Sequence, residues 1–166
     1  MNTQVKPGKP LMEVDGLAKR YRADQPNVFQ GIHFDIAHNE FICVIGHSGC
    51  GKSTILNILA GLEQASEGAV IMNHKEVTGP GLDRGVVFQS HALLPWLTVR
   101  DNIAFAVRSR HPAMGKAQVA EKVQHYIGLV GLAHALDKKP AELSGGMKQR
   151  VGIARAFAVE PKMLLM

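Results

Sequence analysis

Apolar residues recur along the chain at two different periods, and the switches between them mark out its elements. Residues 11–14 form a short strand-like run. Ile32, Phe34 and Ile36 alternate with His33, Asp35 and Ala37, the period-two pattern of a strand with one buried face. His38, Asn39 and Glu40 predict a turn, with Asn39 suited to a left-handed backbone. Phe41, Ile42, Cys43, Val44 and Ile45 are continuously apolar, which predicts a strand buried on both faces. A glycine-rich loop follows. Ile55, Leu56, Ile58 and Leu59 then fall at helical spacing over residues 54–60, and Gly61 predicts the stop.

Residues 69–72 and 75–77 flank Asn73-His74 as the arms of a hairpin, and residues 86–88 read as another short buried strand. From 93 to 136 the pattern is helical, with Thr98 and Asp101 spaced as a capping box. Val119, Val123, Ile127 and Val130 mark one apolar helix face. Residues 137–142 form a charged loop carrying Pro140. Ser144 precedes a helix running to about residue 158, and residues 162–166 begin one more buried strand. Residues 1–10, polar with two prolines, read as a flexible leader. Strands and helices thus intermix, and the class is α/β.

Composition narrows this picture only a little. A chain of 166 residues corresponds to one domain. At that size it can bury about 69% of its unfolded surface, so it needs no disulfide staples. Its 46% hydrophobic and 20% charged residues exclude a coiled coil or wholesale disorder. The longest apolar run is five residues, too short for a membrane span. No secretory signal opens the chain, which points to the cytosol and to free thiols at Cys43 and Cys50. A net charge of +5 permits nucleotide, nucleic-acid or membrane partners without choosing among them. The eight histidines form no metal-ligand spacing.

The chemistry lies in two segments. Residues 46–54, GHSGCGKST, fit G-x-x-x-x-G-K-[ST] between an apolar run and a helix. Gly46, Gly49 and Gly51 let backbone N–H groups turn toward phosphate oxygens, and the following helix aims its positive end at the same anion. Lys52 reaches the β- and γ-phosphates, and the Ser53 hydroxyl can ligate Mg²⁺. His47, Ser48 and Cys50 occupy free positions of the motif, so neither His47 nor Cys50 is expected to be catalytic. The second segment is LSGGMKQR at 143–150. Ser144 is a preferred N-cap, while Gly145 and Gly146 weaken the helix they open. Glycines there make sense if the helix start must approach an anion closely.

Together these segments, with Gln89 between them, resemble the nucleotide-binding subunits of ATP-binding cassette (ABC) transporters over about residues 11–166. The resemblance implies a P-loop NTPase with a RecA-like core, an N-terminal antiparallel β subdomain and a helical insert at about 93–143. It implies ATP and Mg²⁺ as cofactors. Tyr21 matches the aromatic that stacks on adenine, and residues Gly46, His47, Ser48, Gly49, Cys50, Gly51, Lys52, Ser53 and Thr54 match the Walker A loop. Gln89 matches the Q-loop glutamine that approaches Mg²⁺ and the attacking water. Ser144, Gly145, Gly146 and Gln149 match the signature that contacts the γ-phosphate held by a second subunit.

IGHSGC, DRGVVFQ, LLPWLTV, DKKP and GMKQR look closest to importers of nitrate, bicarbonate, taurine and sulfonates, the nitrate branch most of all. The resemblance therefore implies an ATP-hydrolysing motor, peripheral on the cytoplasmic face of the inner membrane. Its partners would be a second ATPase subunit, membrane permease subunits and, indirectly, a solute-binding protein, with no nucleic acid. Trp96 is a candidate exposed anchor for a partner. The alternatives are a soluble ABC-type ATPase acting on nucleic acid or ribosomes, and a nucleotide-binding fragment without hydrolysis. Two features depart from the family. Gly152 and Phe157 stand where small or aliphatic helix formers are more common. The chain also closes on MLLM, similar to the start of the Walker B strand, before that strand's Asp and Glu and the later switch His. The expectation is a fragment of a longer ATPase, its C-terminal part missing, with hydrolysis by these residues alone doubtful.

Overall fold

In the computed structural model, which describes residues 9–166, the chain divides into two units on either side of the Pro80–Gly81 bond. Most of the expected leader lies outside the described residues.

The first unit holds β1 (Met12–Lys19), β2 (Phe29–Ile36), α1 (Lys52–Ala60), β3 (Glu67–Met72) and β4 (Lys75–Glu76). The four strands form one antiparallel sheet in the order β2-β1-β3-β4. Met12, in the central strand opposite both Ile36 and Met72, is completely buried. β1 and β2 run further than the period-two pattern predicts. The register shifts between Val14 and Leu17, and that slip interrupts the alternation from which strand length is read. The expected hairpin forms. Asn73 and His74 take φ of 49° and 63°, the doubly left-handed turn whose twist suits adjoining strands. Asn39 is left-handed as expected, with φ 60°.

The segment 41–45 departs from expectation. It forms no strand, and Phe41 and Ile45 are 86% and 89% exposed. A strand apolar on both faces is stable only inside a sheet, with a neighbour along its edge to take its backbone N–H and C=O groups. No described strand pairs with these residues.

The second unit contains β5 (Arg84–Val86), α2 (Val99–Arg110), α3 (Lys116–Leu129), α4 (Gly145–Ala158) and β6 (Met163–Leu165), with short 3₁₀ turns at Ala133–Ala135 and Pro140–Glu142. β5 pairs in parallel with β6, Gly85 opposite Leu164. The strand expected at 86–88 is therefore shifted two residues toward the N-terminus, although buried Val87 still donates to Leu165. The three helices share an apolar core that includes Val99, Ile103, Val107, Val123, Ile127 and Val151. Val119, Val123 and Ile127 are buried, while Val130 caps the helix and is only partly buried. Thr98 caps α2 by accepting from the Asp101 N–H, and the Thr98 hydroxyl donates to the Asp101 carboxylate. Asn102 is wholly buried; its amide accepts from Leu94 N–H and donates to the carbonyls of Leu94, Leu97 and Thr98. That set of bonds fixes the irregular chain entering α2. No helix among the described residues is long and apolar enough to cross a membrane.

Candidate functional site

Gly51, immediately before α1, has φ 95°, and a Cβ there would lie 2.9 Å from the side chains of Val28 and Phe29. Conformation and space both require glycine. As the N-cap it offers no side-chain oxygen, and no acidic residue stands in the first turn of α1. The opening N–H groups and the positive end of the helix are thus uncompensated by the helix's own side chains, the chemistry an anion needs. α2 and α4 differ, each being capped by a hydroxyl.

The Lys52 ammonium folds back over the loop, donating to the carbonyls of Gly46 at 2.9 Å and His47 at 2.7 Å. Carbonyl dipoles hold it, and no ion pair neutralises it among the described residues. Cys50 Sγ lies 3.8 Å away, and the His47 ring contacts the Ser48 carbonyl oxygen at 2.9 Å. Gly46, His47, Ser48, Gly49 and Ser53 are exposed, whereas Cys50, Gly51, Lys52 and Thr54 are partly buried. The described residues contain no group of three or more His, Cys, Asp or Glu arranged to hold a metal ion. Mg²⁺ requires near-octahedral oxygen coordination. The Ser53 hydroxyl, exposed in the first turn of α1, is of the hard-oxygen kind such an ion takes.

Tyr21 stands 58% exposed, with its phenol 3.2 Å from Thr54 Oγ1 and donating to Glu63 at 3.4 Å. Lys19 Nζ lies 5.0 Å from the ring centroid, on one face, and pairs with Glu63 at 3.0 Å. The ring is held by its rim and one face and is wet elsewhere.

In the second unit Ser144 caps α4, its oxygen accepting from Met147 N–H at 3.3 Å. That bond leaves the hydroxyl proton free to donate. Gly145 and Gly146 are exposed, and a Cβ at either would meet nothing within 4 Å. Gln89 is exposed in the turn after β5. Gln149 is partly buried on α4, its Oε1 2.6 Å from His91 Nδ1. Each expected residue can be placed within its own unit: Tyr21 with the 46–54 loop in the first, Gln89 with 144–149 in the second.

A family model described as "ABC transporter" matches residues 29–166. The chain belongs to the ABC transporter family. It is 48% identical over 161 residues to the "Nitrate transport protein NasD" of Klebsiella oxytoca, covering 95% of this chain and 62% of that protein. It is 56% identical over 159 residues to the "Bicarbonate transport ATP-binding protein CmpC" of Synechococcus elongatus, covering 94% of this chain and 24% of that one. The chain therefore spans under two thirds of the length of these relatives. Among solved structures, the ATP-binding cassette MJ0796 in a dimeric post-hydrolysis state bound to ADP and Pi superposes with a TM-score of 0.84. That match is 28% identical and covers 92% of this chain and 72% of the cassette. The α/β class and the cassette architecture read from the sequence agree with these likenesses, over the part of the cassette this chain covers.

Sequence reasoning about this ABC family chain missed the groups that hold the candidate residues. Lys19 and Glu63 around Tyr21, and His91 against Gln149, have no motif of their own. Glu63 lies 42 positions from Tyr21, and Gln149 lies 58 from His91. Trp96, the candidate anchor, is 67% exposed.

Proposed function

We propose that this chain is the nucleotide-binding part of an ATP-driven importer of a small oxyanion, nitrate first and bicarbonate second. The observation that carries the reading is the start of α1: a glycine N-cap with no side-chain acceptor, beside a lysine held by loop carbonyls and the Cys50 sulfur, with no carboxylate paired to it among the described residues. Bound there, ATP would supply the phosphoanhydride bond whose hydrolysis drives transport. The first-turn N–H groups of α1 would hold phosphate oxygens, Lys52 would leave its two carbonyls to neutralise them, and Ser53 would offer a metal ligand. Tyr21 would present its open face to the base. Gln89 would reach toward the water and metal, while Ser144, Gly145 and Gly146 would meet the nucleotide of a second subunit. Permease subunits and an external solute-binding protein complete the proposed assembly, which places the chain on the cytoplasmic membrane face. Likeness to NasD supports nitrate, and likeness to CmpC supports bicarbonate as the other candidate.

Titration of a fluorescent ATP analogue into the wild-type chain and Lys52→Ala tests the site. A charge-assisted contact is worth about 1.5–3 kcal/mol, so the variant should bind about ten- to a hundredfold more weakly. Equal affinities would remove the assignment. For the solute, growth of a deletion strain on limiting nitrate or limiting bicarbonate separates the two candidates.

A further inference from the structure

His91 is drawn into its place by several constraints at once. Its backbone is left-handed, φ 65°, and so is that of Ala92, φ 45°. Two successive non-glycine residues in that region persist only where their surroundings hold them. The surroundings are visible. The His91 N–H donates to the Phe88 carbonyl at 3.0 Å, closing the turn that carries Gln89. The ring Nδ1 lies 2.6 Å from Gln149 Oε1 on α4. One helical turn further along α4, a Cβ on Gly152 would come to 3.4 Å from the His91 carbonyl oxygen. Gln149 and Gly152, three residues apart, therefore offer His91 a hydrogen-bonding amide and a bare strip of helix. Gly152 is buried, and the His91 carbonyl packs directly over it, so a side chain larger than methyl would crowd the turn there.

We propose that His91 is a positioning residue: it clamps the Gln89 turn onto α4 at Gln149 and Gly152, so that the Gln89 turn and the signature helix move as one piece. The proposal rests on the functional reading above for its consequence, though not for the contact. Mechanically, a displacement of either element would be passed to the other through one side chain and one close backbone approach. Because the carboxamide oxygen accepts, neutral His91 must carry its proton on Nδ1.

Two measurements test this. In the chain itself, long-range ¹H–¹⁵N spectra should show neutral His91 as the Nδ1–H tautomer, changing to Nε2–H in Gln149→Ala. An Nε2–H tautomer in the wild type overturns the clamp. In a full-length subunit carrying this sequence, His91→Ala should lower kcat about ten- to a hundredfold, the scale of a misplaced reacting group, with the KM for ATP within about threefold. Gln149→Ala should do the same, and the double variant should be no worse than either single one, as expected for two halves of one contact. His91→Gln/Gln149→His, which exchanges donor and acceptor, should recover much of the loss. Wild-type kcat in His91→Ala, or losses that multiply in the double variant, would overturn the proposal. Should His91→Ala fail to fold, His91→Asn, which keeps a shorter donor, takes its place. If the wild type neither binds nor hydrolyses ATP, the functional reading fails, and the tautomer alone then decides the clamp.

Discussion

Glu160, one residue past the C-cap of α4, accepts from three side chains on two other segments: Lys122, Tyr126 at 3.2 Å and His111 at 3.2 Å. Lys122 and Tyr126 lie on α3, and His111 caps α2, so one carboxylate ties the C-terminal ends of α2 and α4 to the side of α3. The Lys122 hydrogen bond holds the Glu160 carboxyl below its ordinary value of 4.5, and the same bond raises Lys122. Burial, aided by the Glu160 charge, raises Tyr126. A depressed carboxylate contributes stability that is fully present above its unfolded value and is lost as pH falls through its folded value. The wild type should therefore have a higher urea midpoint than Glu160→Gln at pH 7, with the gap closing as pH falls below about 4.5. A gap that stays constant down to full protonation would show that charge has no part in this junction. Nothing local announced Glu160 in the sequence, because its partners lie 34 to 49 positions away. Lys52 and Ser144 were legible for the opposite reason: each acts on backbone within a few residues of itself.

Elements whose ends are set by local chemistry match the sequence well. Gly61 stops α1 with φ 75°, where a Cβ would strike the Gly79 carbonyl at 2.1 Å. Thr98 and Ser144 cap the helices they were expected to cap. Thr98→Ala should cost about 1 kcal/mol, the worth of a lost hydroxyl cap. Equilibrium urea unfolding measures it, and an unchanged midpoint would mean that Asn102 and the surrounding core hold the start of α2 without the cap. Elements that depend on remote partners match less well. The run 41–45 carries all the side chains of an interior strand, but a strand exists only when a second strand takes its hydrogen bonds. β5 sits two residues early because its register is fixed by β6, nearly eighty positions further on, and not by its own apolar residues.

At the scale of the whole molecule, the chain carries one glycine loop at 46–54 and a second helix start, bare of side chains beyond Ser144, at the head of α4. On the proposed function, with one nucleotide loop in the chain, the site is completed by another copy, and each ATP would lie between residues 46–54 of one subunit and residues 144–146 of its partner. The +5 net charge suits that polyanionic ligand without specifying it. The most direct test co-expresses two full-length subunits carrying this sequence, one with Lys52→Ala and one with Ser144→Arg, each inactive as a homodimer. With shared sites, the mixed dimer gathers both lesions in one site and leaves the other intact. ATP hydrolysis should then return to roughly half the wild-type rate, one sound site in two. A wild-type/double-variant dimer, also with one intact site, calibrates what a single site delivers. Verified mixed dimers that stay inactive while that control hydrolyses ATP would contradict the shared site.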